Sequence, residues 1–241
     1  TGAAQGNGKA MGEALLRAGS TVVFVDKLEN KLTTTVKKFK SNKLPAHKFT
    51  CDLTKENEIY QLIEFVKKKF GKIDILVNNA GVTFSETTLN YPDNFWDATY
   101  KVNLLAPFKL STGFGKMMKK RKSGIIINIT SLNAEFAFPN NPAYVSFKGA
   151  LKQLTKSLAL DLGKFGIRVN NIGPGYFHTN MTKKSWASKG LKKQREEKTI
   201  LGRWGEPKDL AGIIIFLTSK SSSYITGQDI YVDGGWSAKG L

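Results

Sequence analysis

The chain of 241 residues has few of the side chains that cross-link small proteins or bind metals. Its one cysteine is Cys51, so it can form neither an internal disulfide nor a cysteine-based zinc site. Neither of its two histidines has other metal-ligating residues near it at the spacing of a metal site. Long apolar runs are also lacking: none approaches the roughly 20 residues of a membrane-spanning helix, and no signal-peptide pattern is present. These absences favour a cytoplasmic protein that binds neither a metal nor a membrane.

Negative charge is scarce as well, with 19 acidic residues against 37 basic ones and a formal net charge of +18. A charge of this size raises nucleic acid as a partner. However, only five of the basic residues are arginine, the side chain that forks onto phosphates and reads base edges. The lysines lie in short clusters along most of the chain. We therefore expect a lysine-rich surface with no nucleic-acid partner, which attracts small anionic molecules.

Short β-rich segments alternate with longer amphipathic segments, and no linker divides them. Strands separated by helix-length segments form parallel βαβ units. The sequence therefore predicts an α/β fold, a doubly wound (Rossmann), mostly parallel sheet flanked by helices, in a single domain over residues 1–241. The predicted strands are Thr21–Asp26, His47–Leu53, Ile73–Asn78, Gly124–Thr130, Ile167–Ile172 and Asp229–Val232. The predicted helices are Lys9–Ala18, Leu28–Phe39, Lys55–Phe70, Pro92–Lys120, Pro142–Lys164 and Pro207–Thr218.

The first eight residues, Thr1–Gly8, carry glycines in the pattern G-x-x-x-G-x-G. Glycines at such positions let the backbone turn sharply and approach a pyrophosphate without a Cβ in the way. The helix that follows would direct free N–H groups and its positive end at that phosphate. In a doubly wound fold such a turn follows the first strand. We therefore expect that strand to be missing from the sequence as given, and its neighbours in the sheet to be unpaired.

The next predicted strand ends on Asp26, 18 residues after Gly8. A carboxylate at this place accepts hydrogen bonds from the hydroxyls of the adenine ribose and repels a 2′-phosphate. The position therefore favours NAD as the cofactor. Lys27 follows directly, and a cation there can pair with a phosphate, so NADP stays open as the alternative.

Tyr144 and Lys148 lie four residues apart in a predicted helix and therefore share one face. The pKa of tyrosine is about 10, too high for a proton acceptor at pH 7, and a nearby lysine charge is expected to lower it. With seven tyrosines in a lysine-rich chain, about one such spacing is expected by chance. The pair gains weight because Ser131 and Asn78–Gly81 close two predicted strands, where a ligand crevice opens in this kind of sheet.

Together these residues resemble the short-chain dehydrogenase/reductase family, over essentially the whole chain. The matching segments are Thr1–Gly8, Asp52-Leu53, Asn78–Gly81, Asn103, Ser131, Tyr144 with Lys148, Pro174-Gly175 with Thr179, Ile225–Gly227 and Val232–Gly235. Where the family usually has a small residue before the lysine, this chain has Phe147, for which we expect only altered helix packing. The resemblance implies an NAD(P)-dependent alcohol dehydrogenase or ketoreductase that forms a homodimer or homotetramer.

The resemblance also implies the catalytic roles. Tyr144 would exchange a proton with the substrate oxygen while hydride passes between the substrate carbon and the nicotinamide. Lys148 would lower the pKa of Tyr144 and hold the nicotinamide ribose. Ser131 would hydrogen-bond the substrate oxygen, and Asn103 would hold a water that relays protons towards Lys148.

The cofactor site that the resemblance implies extends from the glycine turn to the carboxyl end of a late strand. Within it, Asp52 would lie by the adenine, Asn79 by the adenosine and Thr179 by the carboxamide. The whole set is Thr1, Gly2, Gln5, Gly6, Asn7, Gly8, Asp26, Asp52, Leu53, Asn79, Ala80, Gly81, Tyr144, Lys148, Pro174, Gly175 and Thr179.

Substrate choice is expected from residues 133–141 and from a lid at about 176–201. Six of the 13 residues in 183–195 are basic, which indicates an anionic substrate, although a solvated lid helix explains the same charges. Gly175–Thr182 and Leu201–Pro207 are similar to the gluconate 5-dehydrogenase branch, which acts on sugar acids and polyols. We therefore expect hydride transfer between NAD and the secondary alcohol or ketone of such a molecule. The alternative is an NADPH-dependent 3-oxoacyl thioester (acyl carrier protein) reductase, since these enzymes share much of the two segments.

Overall fold

Helices and strands alternate along residues 1–239, the part of the chain that the computed structural model describes. The strands are β1 (Val22–Asp26), β2 (Ala46–Thr50), β3 (Ile75–Asn78), β4 (Gly124–Ile129), β5 (Ile167–Pro174) and β6 (Asp229–Val232). The α-helices are α1 (Gly6–Arg17), α2 (Glu29–Ser41), α3 (Glu56–Phe70), α4 (Asp93–Tyr100), α5 (Ala106–Arg121), α6 (Pro142–Gly163), α7 (Lys183–Ala187), α8 (Lys189–Lys198) and α9 (Ala211–Thr218). Every predicted strand is present, so the predicted α/β class is confirmed.

All strand pairs are parallel, but they form two sheets where the sequence predicted one. β1 pairs with β2, and β3 to β6 pair in chain order. β1 and β3 face each other across a cavity of about 550 Å³, which Val22–Val25, Ile73–Val77 and apolar side chains of α1 and α3 line. The facing edges of β1 and β3 are therefore unpaired, as expected. The strand predicted ahead of Thr1 stays a prediction.

Helices cover both faces of the larger sheet, which is why its strands are apolar on both sides. In β4, Ile126 packs with residues of α3, α5 and α6, whereas its neighbour Ile127 packs with α1 and α9 on the opposite face. α2 packs on β1 through Leu32 and Phe39. No helix within residues 1–239 combines the length and apolar character that a membrane crossing needs.

The predicted helix Pro92–Lys120 is interrupted. Lys101–Leu105 forms a π-helical segment between α4 and α5. Pro107 explains the break, because proline has no N–H to donate to the carbonyl of Asn103 four residues earlier. Such π-helical insertions are frequent at functional sites. The predicted helix Pro207–Thr218 likewise begins as a 3₁₀ turn, Pro207–Leu210, before α9.

A row of polar side chains crosses the larger sheet in its interior. Asn78, Asn128, Asn171 and Asp229 stand at paired positions on β3, β4, β5 and β6. Asn78 donates to Asn128 at 2.8 Å, and Asn171 donates to Asp229 at 2.6 Å. Thr155 of α6 joins the middle, accepting from Asn128 at 2.7 Å and donating to Asn171 at 2.6 Å. We call the four strand residues, three asparagines and Asp229, the amide row.

Candidate active site

The carboxyl ends of β1, β3, β4 and β5 open into one cleft of about 790 Å³. This is the edge at which doubly wound sheets bind ligands. Most of the predicted site residues line it: Gly2, Gln5, Gly6, Asn7, Asp26, Asp52, Leu53, Asn79, Ala80, Gly81, Ser131, Tyr144, Lys148, Pro174, Gly175 and Thr179. Thr1 and Gly8 instead line the cavity between β1 and β3, and Asn103 is buried close to Gly81.

The glycine turn is shaped by two left-handed residues, Gly2 at φ 60° and Gly6 at φ 58°. A Cβ on Gly2 would come within 2.8 Å of the Cα of Ala80, and a Cβ on Gly8 within 2.4 Å of the carbonyl oxygen of Gly2. A side chain at Gly2 or Gly8 would collide with backbone, and at Gly6 the left-handed conformation disfavours any other residue, so all three positions require glycine. We call Thr1–Gly8 the glycine turn from here on.

Thr1 and Asn79 fasten the glycine turn to the end of β3. The hydroxyl of Thr1 accepts hydrogen bonds from the backbone N–H groups of Asn79 and Ala80, both at 3.0 Å. In return, the Asn79 amide donates to the carbonyl oxygens of Thr1 at 2.8 Å and Gly2 at 3.2 Å. The two segments, almost 80 residues apart in the sequence, therefore hold one wall of the cleft in place.

The residues around the glycine turn fit a bound dinucleotide. The turn leads directly into the N-terminus of α1, whose first N–H groups point out of the helix. The side-chain oxygen of Asn7 is buried there without a hydrogen-bond partner among the described residues. A pyrophosphate at this helix end would meet free donors, and a ribose hydroxyl could satisfy an acceptor of this kind.

Asp26, at the end of β1, is held by two backbone donors. Its carboxylate accepts from the N–H of Ala4 at 3.0 Å and from the N–H of Leu28 at 3.0 Å. It lines the cleft and remains partly exposed. Asp52 lies nearby: burial raises the pKa of its carboxyl, but hydrogen bonds from Thr54 and the charges of two lysines bring it below its usual range. Hydrogen bonds from neighbouring groups thus orient both carboxylates.

Three further residues of the cleft come from the end of β4 and from α6: Ser131, Tyr144 and Lys148. Ser131 follows β4, and its hydroxyl accepts from the N–H of Asn133 at 3.2 Å. Lys148 is buried, with its Nζ 5.6 Å from the centroid of the Tyr144 ring. That Nζ donates to the carbonyl oxygen of Ile129 at 2.6 Å. One turn of α6 therefore carries the tyrosine and the lysine, as the spacing predicted.

The expected lowering of the tyrosine pKa is wrong for this structure. Burial is the largest influence and raises the pKa of Tyr144, and the hydrogen bond with Ser131 offsets only part of that. Burial also lowers the pKa of Lys148, to about 8. The reason is desolvation, which the sequence spacing cannot express.

Asn103 braces the loop after β3. Its side chain accepts from the N–H of Val82 and donates to the carbonyl oxygen of Val82, both at 2.9 Å. A Cβ on Gly81 would lie 3.5 Å from the Asn103 oxygen and 3.7 Å from the Lys148 Nζ. Asn103, Gly81 and Lys148 are therefore close together. One donor and one acceptor position of the Asn103 amide are used in these bonds, and the predicted water stays a prediction.

Phe147, which departs from the family pattern, packs on α4. Its ring lies 4.9 Å from that of Trp96 and 5.5 Å from that of Tyr100, measured between centroids. These contacts show which rings Phe147 packs against, and altered helix packing stays a prediction. Tyr144 and Lys148 of the same helix line the cleft.

An aromatic wall closes the other side of the cleft, and sequence reasoning missed it. Tyr176 stacks on Trp236 at 5.3 Å and meets Trp204 edge-on at 5.3 Å, and Phe138 packs against Tyr176 at 5.9 Å. Arg195 of α8 lies over the Tyr176 ring, 4.7 Å from its centroid. We call Phe138, Tyr176, Trp204 and Trp236 the aromatic wall. The only sequence signal was the unusual density of aromatic residues after Pro174-Gly175.

The basic segment 183–195 does not present all its charges to the cleft. Lys184 and Arg195 line it. Lys192 lies over the ring of Trp186 at 4.2 Å, and Lys193 forms an exposed ion pair with Glu197 at 3.7 Å. Among residues 1–239, no group of three or more histidine, cysteine, aspartate or glutamate side chains is arranged to hold a metal ion.

Comparisons with known proteins agree with this geometry. The family model described as enoyl-(acyl carrier protein) reductase, a short-chain alcohol dehydrogenase model, matches residues 2–237. A 5-keto-D-gluconate 5-reductase of Escherichia coli (strain K12) is 34% identical over 235 residues, which cover 98% of this chain and 92% of that protein. A 3-oxoacyl-[acyl-carrier-protein] reductase of Thermotoga maritima is also 34% identical, with coverage of 98% and 95%.

Among solved structures, a gluconate 5-dehydrogenase from Burkholderia cenocepacia J2315, crystallised with NADP and tartrate, superimposes with a TM-score of 0.95. It is 32% identical, and the match covers 100% of this chain and 94% of the other. The fold of the whole chain is therefore the fold of that enzyme.

Proposed function

This chain belongs to the short-chain dehydrogenase/reductase family and is an oxidoreductase, and we propose that it interconverts a secondary alcohol and a ketone on a sugar acid. The observation that carries the proposal is the meeting of Ser131, Tyr144 and Lys148 in a cleft whose far side carries Arg195. The similarity to a 5-keto-D-gluconate 5-reductase and a gluconate 5-dehydrogenase supports the substrate class.

A nicotinamide dinucleotide, when bound, supplies or accepts the hydride. The glycine turn and the N-terminus of α1 would hold its pyrophosphate, and Asp26 its adenine ribose. Gly81, close to the Nζ of Lys148, and Thr179, beside Gly6 of the glycine turn, line the same cleft. The protein orients the substrate against the cofactor and transfers the proton by general acid or base catalysis.

Tyr144 is the proton donor in the reductive direction. Its hydroxyl is protonated at neutral pH, as for an ordinary tyrosine, and gives its proton to the substrate oxygen as hydride reaches the carbon. Ser131, hydrogen-bonded to Tyr144, is placed to orient the same oxygen. In the oxidative direction Tyr144 must accept the proton, and that direction should therefore gain from higher pH.

NAD is the proposed cofactor, with NADP as the alternative. The partly exposed carboxylate of Asp26 would repel a 2′-phosphate, which supports NAD. Against this stand Lys27 beside it and the NADP named for the Burkholderia enzyme. A ratio of kcat/KM values for the two cofactors with one substrate decides between them.

We further propose a single domain in which α7 and α8 form the substrate lid, in a cytoplasmic homodimer or homotetramer. Trp96 and Phe108 of α4 and α5 are 42% and 44% exposed, which supports an oligomer that buries this face. Light scattering at micromolar concentration tests the assembly, and a monomer there would contradict it.

A substrate panel tests the function. The purified protein is assayed with NAD, NADP and their reduced forms against D-gluconate, neutral polyols, 5-keto-D-gluconate and acetoacetyl thioesters. We expect the sugar acid and its keto form to give the highest kcat/KM. A preference for the thioester with NADPH would instead favour a 3-oxoacyl thioester reductase, which the equally similar Thermotoga maritima protein makes the second candidate.

A further inference from the structure

We propose that Arg195 is the specificity-determining residue that binds the carboxylate of the substrate, an inference that rests on the proposed function. Three lysines also line the cleft: Lys27 and Lys184 are exposed and therefore well screened, and Lys148 is buried beside Tyr144 at the reacting centre. Arg195 is half-buried, so a carboxylate beside it would be held in a less polar environment.

The Arg195 guanidinium is held in place by aromatic rings. Its Cζ lies 4.7 Å from the centroid of Tyr176 and 5.8 Å from that of Phe138. Tyr176 rests in turn on Trp236 and Trp204. A planar cation that stacks on rings loses little freedom when it binds a ligand. The aromatic wall thus fixes one donor group at the mouth of the cleft.

The donors of Arg195 are not used elsewhere in the described chain. Its Nε is buried without a hydrogen-bond partner, and no carboxylate of residues 1–239 forms an ion pair with it. Glu196, the acidic residue next to it, pairs instead with Lys192 at 3.8 Å. A buried donor without a partner is costly, and a ligand carboxylate would satisfy it in bidentate geometry.

Tyr176 connects this cation to the reacting centre. Tyr144, Tyr176 and Arg195 line the same cleft, and the Arg195 guanidinium lies 4.7 Å from the centroid of the Tyr176 ring. In an extended six-carbon sugar acid, C5 and the carboxylate carbon are separated by about 5 Å, given C–C bonds of ~1.5 Å. In this proposal such a substrate binds with its alcohol at Tyr144 and its carboxylate at Arg195.

The test compares Arg195→Met, Arg195→Lys and the control Lys193→Met, whose residue is 79% exposed and paired with Glu197 on the same helix. Each cofactor-saturated protein is titrated with D-gluconate, tartrate and a neutral hexitol by calorimetry, and KM and kcat are measured for D-gluconate. For Arg195→Met we expect the Kd and KM of the carboxylates to rise about 30-fold or more, with kcat and hexitol binding nearly unchanged. Arg195→Lys should lie between, because it keeps the charge and loses the fork.

The outcomes separate the inference from the proposed function. An equal loss for hexitol and carboxylates, or a fall in kcat alone, would mean that Arg195 only supports the lid, and would overturn the inference. Carboxylates that bind to the wild type through Arg195 but are not turned over would overturn the proposed function alone. Wild-type protein that binds no carboxylate would overturn both.

Discussion

The two sides of the cleft are built in different ways. The glycine turn lies with its main chain close against the main chain after β3: a Cβ on Gly2 would come within 2.8 Å of the Cα of Ala80, and the side chains of Thr1 and Asn79 bond to backbone groups across this contact. The aromatic wall is made of side chains from segments up to about a hundred residues apart, stacked ring on ring. The first side leaves no room for change, whereas the second can be altered one side chain at a time. We expect substitutions in the turn to affect folding and cofactor binding, and those in the wall to affect the substrate.

The largest expected effect lies between the two sides, at Tyr144. Tyr144→Phe removes the proton donor and leaves both walls intact, so kcat should fall about 10³-fold or more. The Kd for the cofactor should stay within a factor of about two, measured by fluorescence titration. Near-normal turnover would refute the role of Tyr144, and a lost cofactor affinity would mean that the two sides are not separable.

The next effect contrasts two glycines, one on each side. A Cβ on Gly8 would lie 2.4 Å from both the Gly2 oxygen and the Asn79 amide, whereas a Cβ on Gly190 of α8 meets nothing within 4 Å. Gly8→Ala should therefore lower the free energy of unfolding by about 3 kcal/mol. Gly190→Ala should raise it by roughly 0.5–1 kcal/mol, because alanine is the better helix former. Urea denaturation of both variants checks this, and equal values would remove the distinction between the sides.

A third effect concerns the pH dependence of stability through Lys148. Its pKa is lowered by burial to about 8, below the value of the unfolded chain, so the charged form destabilises the fold at low pH. The penalty is full below pH 8 and disappears as pH rises towards the unfolded value near 10.5. Relative to Lys148→Met, the wild type should gain about 2 kcal/mol of stability between pH 7.5 and 10. Parallel stability curves of the two proteins would contradict this.

The smallest effect is on cofactor choice. Asp26→Asn removes a charge while keeping an oxygen to accept from Ala4 or Leu28. The ratio of kcat/KM for NADP to that for NAD should rise about tenfold, since the repulsion of a 2′-phosphate is lost. KM for the substrate should not move, which distinguishes this change from one in the aromatic wall. An unchanged cofactor ratio would show that Asp26 does not face the ribose.

The difference between the two sides also explains what could be predicted from the sequence. The glycine turn, Asp26, Ser131 and the pair Tyr144 and Lys148 were found because local spacing and strand ends determine where such residues lie. The π-helical segment that interrupts the predicted helix at Asn103 could have been predicted from Pro107, but the apolar periodicity continues through it and indicated a single helix. The contact between Arg195 and Tyr176 had no signal in the sequence, because it depends on how α8 packs against the segment after β5.

The direction of the tyrosine pKa was wrong for a related reason. Spacing on a helix gives the distance between two groups but not how far each is removed from water. Burial is the largest influence on the pKa of both Tyr144 and Lys148.

The amide row has a consequence for how the chain finds its alignment. If one strand slipped by a single residue, its asparagine would turn to the opposite face, among isoleucines such as Ile127 and Ile129, and its former partners would lose their hydrogen bonds. Each buried amide left without a hydrogen-bond partner would lower the stability of the slipped arrangement by about 1–3 kcal/mol. Apolar strands alone tolerate several registers, whereas these few polar side chains disfavour every register in which they lose their hydrogen bonds. They admit a single matching of the four strands, and with it a single arrangement of the strand ends that carry the reaction.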